Sequence, residues 1–193
     1  MHARVGIALL IAALTTAATG CATPRDDRIE PVYDRSSGRL QLLKYDANGD
    51  GAIDTWSYMD GARVVRIELD RNQDAIIDRW EYYRSNQTIE KVGTSRVGDS
   101  TPDAWAFYDA GGAIARLELS IRRNGQVDRV EFYERGVRVR AEEDTNGDGQ
   151  VDKWEVYEGA RLESIALDTR HRGAPDRRIR YAQDGTVNVE QLP

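Results

Sequence analysis

A single cysteine in a chain of 193 residues excludes any internal disulfide. Histidine is almost as scarce, with His2 in the N-terminal leader and His171 between Arg170 and Arg172, so there is little material for general acid–base work. No glycine-rich phosphate loop is present. Carboxylates are plentiful, but they fall at loop spacing with no sign of a cleft that would separate an acid from a base, and the chain reads as no enzyme. Basic residues are outnumbered 27 to 33, giving a net charge of −6, which excludes nucleic acid as a natural partner. The one long apolar run, residues 5–18, is too short to span a bilayer. What the chain does have is four Trp and nine Tyr, too many large rings for a disordered segment.

The apolar run follows His2 and Arg4 and ends in Ala18, Thr19, Gly20 and Cys21, as a signal peptide does. This segment resembles the lipobox of bacterial lipoproteins, with Ala18 where that family usually has leucine. The resemblance implies removal of residues 1–20 and acylation of Cys21. More than one acyl chain, at ~0.8 kcal/mol per buried methylene, would make a stable anchor. Ala22, in place of an aspartate, points to the outer membrane under the enterobacterial sorting rule. The alternative is an ordinary secretory signal cut near Ala18, with Cys21 a free thiol. Residues 21–30 are polar, contain Pro24, and read as a tether.

The remainder repeats itself. Asp54, Asp78, Asp103, Asp128, Asp152 and Asp176 recur every 24 or 25 residues. Two residues after each stands Trp56, Trp80, Trp105, Val130, Trp154 and, breaking the pattern, Arg178. Five residues after each stands Met59, Tyr83, Tyr108, Tyr133, Tyr157 or Tyr181. A turn signal follows at Gly61, Asn86, Gly112, Gly136, Gly159 and Gly185, then a second run of period two such as Val65, Ile67 and Leu69. Each unit reads as an aspartate loop, a strand, a tight turn and a returning strand. Six units fill residues 45–193, and residues 31–44 form a capping half-unit. The expected fold is all-β, a rolled or twisted antiparallel meander of tandem β-hairpin repeats. No segment reads as a helix able to cover the Trp-bearing face, so that face is expected to line an interior. In unit length and arrangement alone the array is similar to MORN-type hairpin repeats, whose glycine signature it lacks.

The loops carry the chemistry. Loop one has Asp46, Asn48, Asp50, Gly51 and Asp54 at positions 1, 3, 5, 6 and 9 of an EF-hand-type calcium loop, with the Ala52 carbonyl at position 7. Loop five fills every position, with Asp144, Asn146, Asp148, Gly149, Gln150, Asp152 and, twelfth, Glu155. Loop two has Asp70, Asn72, Asp74 and Asp78, but Ala75 replaces the turn glycine. Alternate oxygens on a tight loop converge on one point, which suits a hard cation taking six to eight oxygen ligands, so Ca²⁺ is expected at up to three loops. There is no room for flanking helices, so each loop must join strands; Glu155, already on a strand, is then the least secure ligand. The alternative is that Asp, Asn and Gly are simply what turns prefer. Loop three keeps only Asp99 and Asp103. In loops four and six, Arg122, Arg170 and Arg172 stand at ligand positions, where a guanidinium between carboxylates can substitute for a metal; the alternative is plain drift in loops that no longer matter.

On a strand, Trp and Tyr five-series residues face opposite ways. The Trp series suits a core. The series Tyr83, Tyr108, Tyr133, Tyr157 and Tyr181 suits a ladder on the other face, explained either by cross-strand packing or by stacking against a glycan such as peptidoglycan. Two functions follow: a membrane-anchored, calcium-stabilised module with a structural or interaction role in the bacterial envelope, or an envelope glycan-binding protein using the Tyr ladder.

Overall fold

The structure, a computed structural model, describes residues 27–193. The segment read as a signal peptide, Cys21 and the start of the stretch read as a tether lie outside the described residues. The described chain forms β1 (Ile29–Tyr33), β2 (Leu40–Tyr45), β3 (Thr55–Asp60), β4 (Arg63–Leu69), β5 (Arg79–Tyr83), β6 (Ile89–Thr94) and β7 (Ala104–Tyr108). It continues as β8 (Ile114–Leu119), β9 (Arg129–Glu134), β10 (Val137–Glu143), β11 (Lys153–Glu158), β12 (Arg161–Leu167), β13 (Arg177–Tyr181) and β14 (Val187–Gln191). All fourteen strands form one antiparallel sheet whose spatial order is the chain order. Each strand pairs only with its sequence neighbours, so the sheet is an open meander with β1 and β14 at its two edges. The first hairpin begins at Ile29, inside the stretch read as tether.

Hairpin turns gather at one end of the sheet and the aspartate loops at the other. The turns meet the sequence signals through left-handed residues, for example Arg135 and Gly136 at φ 51° and 78°, the pair of positive angles that a two-residue hairpin turn needs. In the β5–β6 hairpin the left-handed residue is Gln87 (φ 63°) rather than Asn86. Its side chain also ties two hairpins together, accepting from Val64 N–H at 2.9 Å and donating to Val64 O at 3.1 Å.

The period-two reading of the returning strands is corrected by a bulge. Tyr58 pairs with Arg66 and Met59 with Val64, so Val65 is an extra residue without a partner. The same shift recurs at Tyr82/Tyr83, Phe107/Tyr108 and Val156/Tyr157. A bulge reverses the facing of every residue beyond it. Val65 therefore does not share a face with Ile67 and Leu69, and it is 44% exposed.

The expected interior is also corrected. Across one face run Trp56, Glu68, Trp80, Gly93, Trp105, Glu118, Val130, Glu142 and Trp154, each opposite the next. All four tryptophans are only half-buried, and the buried side chains on the strands, Val92, Glu131, Ala141 and Glu155, lie on the opposite face. The Trp face is covered by its own neighbours. Arg66 lies 4.0 Å from the Tyr58 ring centre, Lys91 4.5 Å from Trp105, Arg116 4.1 Å from Phe107 and Arg140 3.6 Å from Phe132. Long cationic side chains shield the rings with their stems and keep their heads in water, which is how a single layer manages without a second one. At Gly93 the cover is Trp105 itself: an added Cβ would stand 2.8 Å from its ring.

Candidate functional site

The six aspartate loops line one end of the sheet, and all six adopt one backbone form. Their fourth and sixth positions are left-handed: Gly49 and Gly51 (φ 79° and 91°), Gln73 and Ala75 (62° and 67°), Gly98 and Ser100 (68° and 59°), then Arg123 and Gly125 (56° and 79°), Gly147 and Gly149 (85° and 88°), and His171 and Gly173 (50° and 83°). Loop two thus keeps the turn despite Ala75. A non-glycine residue held there costs roughly 1–2 kcal/mol, so other contacts must impose the form.

Those contacts are side-chain carboxylates bonded to loop amides. Asp46 accepts from Gly49 N–H at 2.6 Å and Gly51 N–H at 2.8 Å. Asp70 accepts from Gln73 at 2.7 Å and Ala75 at 2.8 Å, and Asp144 from Gly147 at 2.6 Å and Gly149 at 2.8 Å. Asn48, Asn72 and Asn146 accept from the N–H two residues on, as do Asp50, Asp74 and Asp148. The ninth-position acids close each loop by accepting from the second residue: Asp54 from Ala47, Asp78 from Arg71 and Asp152 from Thr145. The same bond reaches Asp103 from Arg96 and Asp128 from Ile121 in loops without the calcium pattern. Partial burial alone would push the Asp144 carboxyl up; the Gly149 and Gly147 amides and the Arg122 guanidinium instead hold it below the ordinary range. Asp50 is held down by Ala52 N–H and by Asn48. These carboxylates are therefore charged at neutral pH.

Loops one and two differ from loop five in the space beside them. Between loops one and two lies a cavity of about 260 Å³ walled by Asn48, Asp50, Asp54, Asp70 and Asp74. The corresponding space between loops five and six is about 10 Å³. There His171 Nδ1 stands 2.9 Å from Asn146 Nδ2. On its other flank loop five meets Arg122, which reaches Asp144 at 3.5 Å. The best calcium loop by sequence is thus the more crowded one. Glu155 does not join loop five: its carboxylate binds Arg129 at 2.6 Å, Lys153 at 2.8 Å and the Tyr157 hydroxyl at 2.7 Å. Among the described residues, no three His, Cys, Asp or Glu side chains are gathered at metal-holding distance. The all-oxygen donor set of loop one, Asp46, Asn48, Asp50, the Ala52 carbonyl and Asp54, fits a hard cation.

The arginine substitutes are placed in loops three and four. Arg96 binds Asp103 at 2.7 Å, a pairing sequence reading missed because Arg96 is at position 2 rather than a ligand position. Arg122 binds Asp128 at 3.1 Å. In loop six Arg170 comes no nearer than 3.8 Å to Asp176, and Arg172 makes no side-chain bond among the described residues.

Tyr83, Tyr108, Tyr133, Tyr157 and Tyr181 take equivalent positions on β5, β7, β9, β11 and β13, every second strand, and three of them are committed to other bonds. Tyr83, Tyr133 and Tyr157 donate to Glu81, Glu131 and Glu155 at 2.6, 2.7 and 2.7 Å. Burial and these bonds push Tyr83 and Tyr133 up to about 12. Arg138 lies 4.1 Å from the Tyr157 ring centre. Tyr108 and Tyr181 follow Ala106 and Ile179, which offer no carboxylate.

No family model matches the chain, and no curated protein sequence matches it. Among solved structures it is similar to one described as the crystal structure of accessory secretory protein 1, 2 and 3 in Streptococcus pneumoniae, with a TM-score of 0.28 and 13% identity. That likeness covers 75% of this chain, which spans about a fifth (20%) of the other.

Proposed function

We propose that this chain is an exported lipoprotein, anchored through acylated Cys21, whose β-array is a structural or interaction module stabilised by calcium at loops one, two and five. The observation that carries the calcium reading is the cavity between loops one and two, walled by acids from both. Calcium would gather the oxygens of Asp46, Asn48, Asp50 and Asp54 in loop one and hold that loop to its neighbour. Each site with a dissociation constant of ~10⁻⁴ M would add about 1.4 kcal/mol at ~10⁻³ M calcium. Melting of the mature protein with calcium and with chelator tests this. A higher melting temperature in calcium, diminished by Asp46→Ala with Asp50→Ala, is expected; identical melting in both conditions refutes it. Cys21→Ser should leave the protein soluble or uncleaved, and a Cys21→Ser species of mature length in the membrane fraction would refute the anchor.

The Tyr-ladder glycan reading has less behind it, because three of the five hydroxyls are bonded to glutamates and Arg138 covers Tyr157.

A further inference from the structure

The Trp face follows a rule for four hairpins and then breaks it. On β4, β6, β8 and β10 the residues facing the aromatic strands are Arg66 and Glu68, Lys91 and Gly93, Arg116 and Glu118, and Arg140 and Glu142. Each cation lies over a ring. On β12 the equivalent residues are Ser164 and Ala166, facing Val156 and Trp154. The long side chains are gone; among the described residues no cation lies over the Trp154 ring, and Val156 on the same strand has no ring to cover. On β13, where a fifth tryptophan would restore the pattern, stand Arg178 and Arg180.

The result is a groove of about 580 Å³, with Trp154 on one wall, Ser164 and Ala166 as its floor, and Arg178 and Arg180 on the other wall. Glu163, the extra residue of the β12 bulge, stands on its rim. Arg180 is 3.1 Å from Glu190. Arg178 has no ion-pair partner among the described residues, although the chain as a whole is acidic. The volume lies in the range of small-ligand pockets.

We propose that this groove binds a carboxylate-bearing sugar within an acidic polysaccharide chain. The chemistry selects that ligand in three ways. A half-exposed indole offers a flat apolar surface to the C–H face of a pyranose ring. The unpaired Arg178 guanidinium offers a planar fork that fits a carboxylate. Ser164 and Glu163 offer a hydroxyl and an acceptor for sugar hydroxyls, and Glu163 repels a doubly charged phosphate more strongly than a singly charged carboxylate. The groove lies on the open face of a sheet, so a chain can enter and leave it. This inference concerns the face opposite the Tyr ladder and does not depend on calcium.

Titration calorimetry of the full mature protein with trimers of galacturonate and of mannuronate, against a neutral galactose trimer and adenosine monophosphate, tests it. Saturable 1:1 binding of a uronate trimer, at least tenfold tighter than either control and weakened by salt, is expected. Ser164→Arg with Ala166→Glu restores the covering pair of the other hairpins and should abolish binding while the melting temperature holds. Arg178→Gln, on a half-exposed strand position, should weaken binding at least tenfold and carries the test if the double variant does not fold. No uronate binding, equal binding of the neutral trimer, tighter binding of the nucleotide, or full binding by the variants overturns the proposal.

Discussion

Arg122 bridges two loops: its Nε is 3.1 Å from Asp128 of its own loop and its Nη2 is 3.5 Å from Asp144 of the next. The guanidinium passes so close to Gly147 that a Cβ there would lie 2.0 Å from Nη1. A positive side chain therefore occupies the flank of the loop that has the fullest set of calcium ligands.

From this a reversal of rank is expected. Arg122→Gln should raise the calcium affinity of loop five several-fold, since a cation no longer opposes it, and should cost about 1 kcal/mol in chelator because Asp128 loses its charged partner. Calorimetry in the background of Asp46→Ala and Asp70→Ala isolates loop five. Unchanged affinity would show that Arg122 and calcium do not compete.

Arg129 holds three strands together on the buried face, reaching Glu131 at 2.9 Å, Glu143 at 2.7 Å and Glu155 at 2.6 Å across the small side chain of Ala141. Burial alone would raise the Glu155 carboxyl, but Arg129, then Lys153 and Tyr157, outweigh it and bring it down to about 2 from 4.5. A depressed carboxyl stabilises the fold fully above its unfolded value and loses that contribution as pH falls from about 4.5 towards 2. Urea midpoints should decline through that window. Arg129→Met strands buried carboxylates and should cost about 3 kcal/mol at neutral pH. A variant as stable as the wild type at pH 7 would refute the network's role.

The shared loop form predicts opposite effects for two mirror substitutions. Gly149→Ala places a side chain at φ 88° and should destabilise by about 1 kcal/mol or more. Ala75→Gly relieves φ 67°, but glycine also loosens the unfolded chain, so a net gain of about 0.5 kcal/mol is expected. Thermal melts in chelator separate the two, and destabilisation by Ala75→Gly would show that the loop is not strained there.

The repeat, the hairpins and their turns were legible because each leaves a local mark: an aspartate, a ring and a glycine at fixed spacing. The facing of the rings was not. Val65, Ile67 and Leu69 look like one stripe in sequence, yet the bulge after Tyr58 separates the first from the others. The rings alone point to an interior, whereas the cations covering them, such as Lys91 and Arg116, come from the neighbouring strand. The loops were underestimated for a related reason. Ser120 in loop four and Asp168 in loop six bond the amides of Asn124 and of Arg172 and Gly173, so the turn survives where the ligand pattern does not.

A sheet in which each strand pairs only with its neighbours in sequence has its first and last strands, β1 and β14, at opposite edges. A force applied between a surface holding the N-terminus and a partner holding the C-terminus runs along the hydrogen-bond direction rather than along the strands. Rungs then break one after another, as in a zipper, instead of sharing the load. The array would lengthen in steps of one unit of 24 or 25 residues. Each step releases about 80 Å of extended chain. Pulled in this way, the array would give way gradually at low tension, as an extensible spacer does and a strut does not.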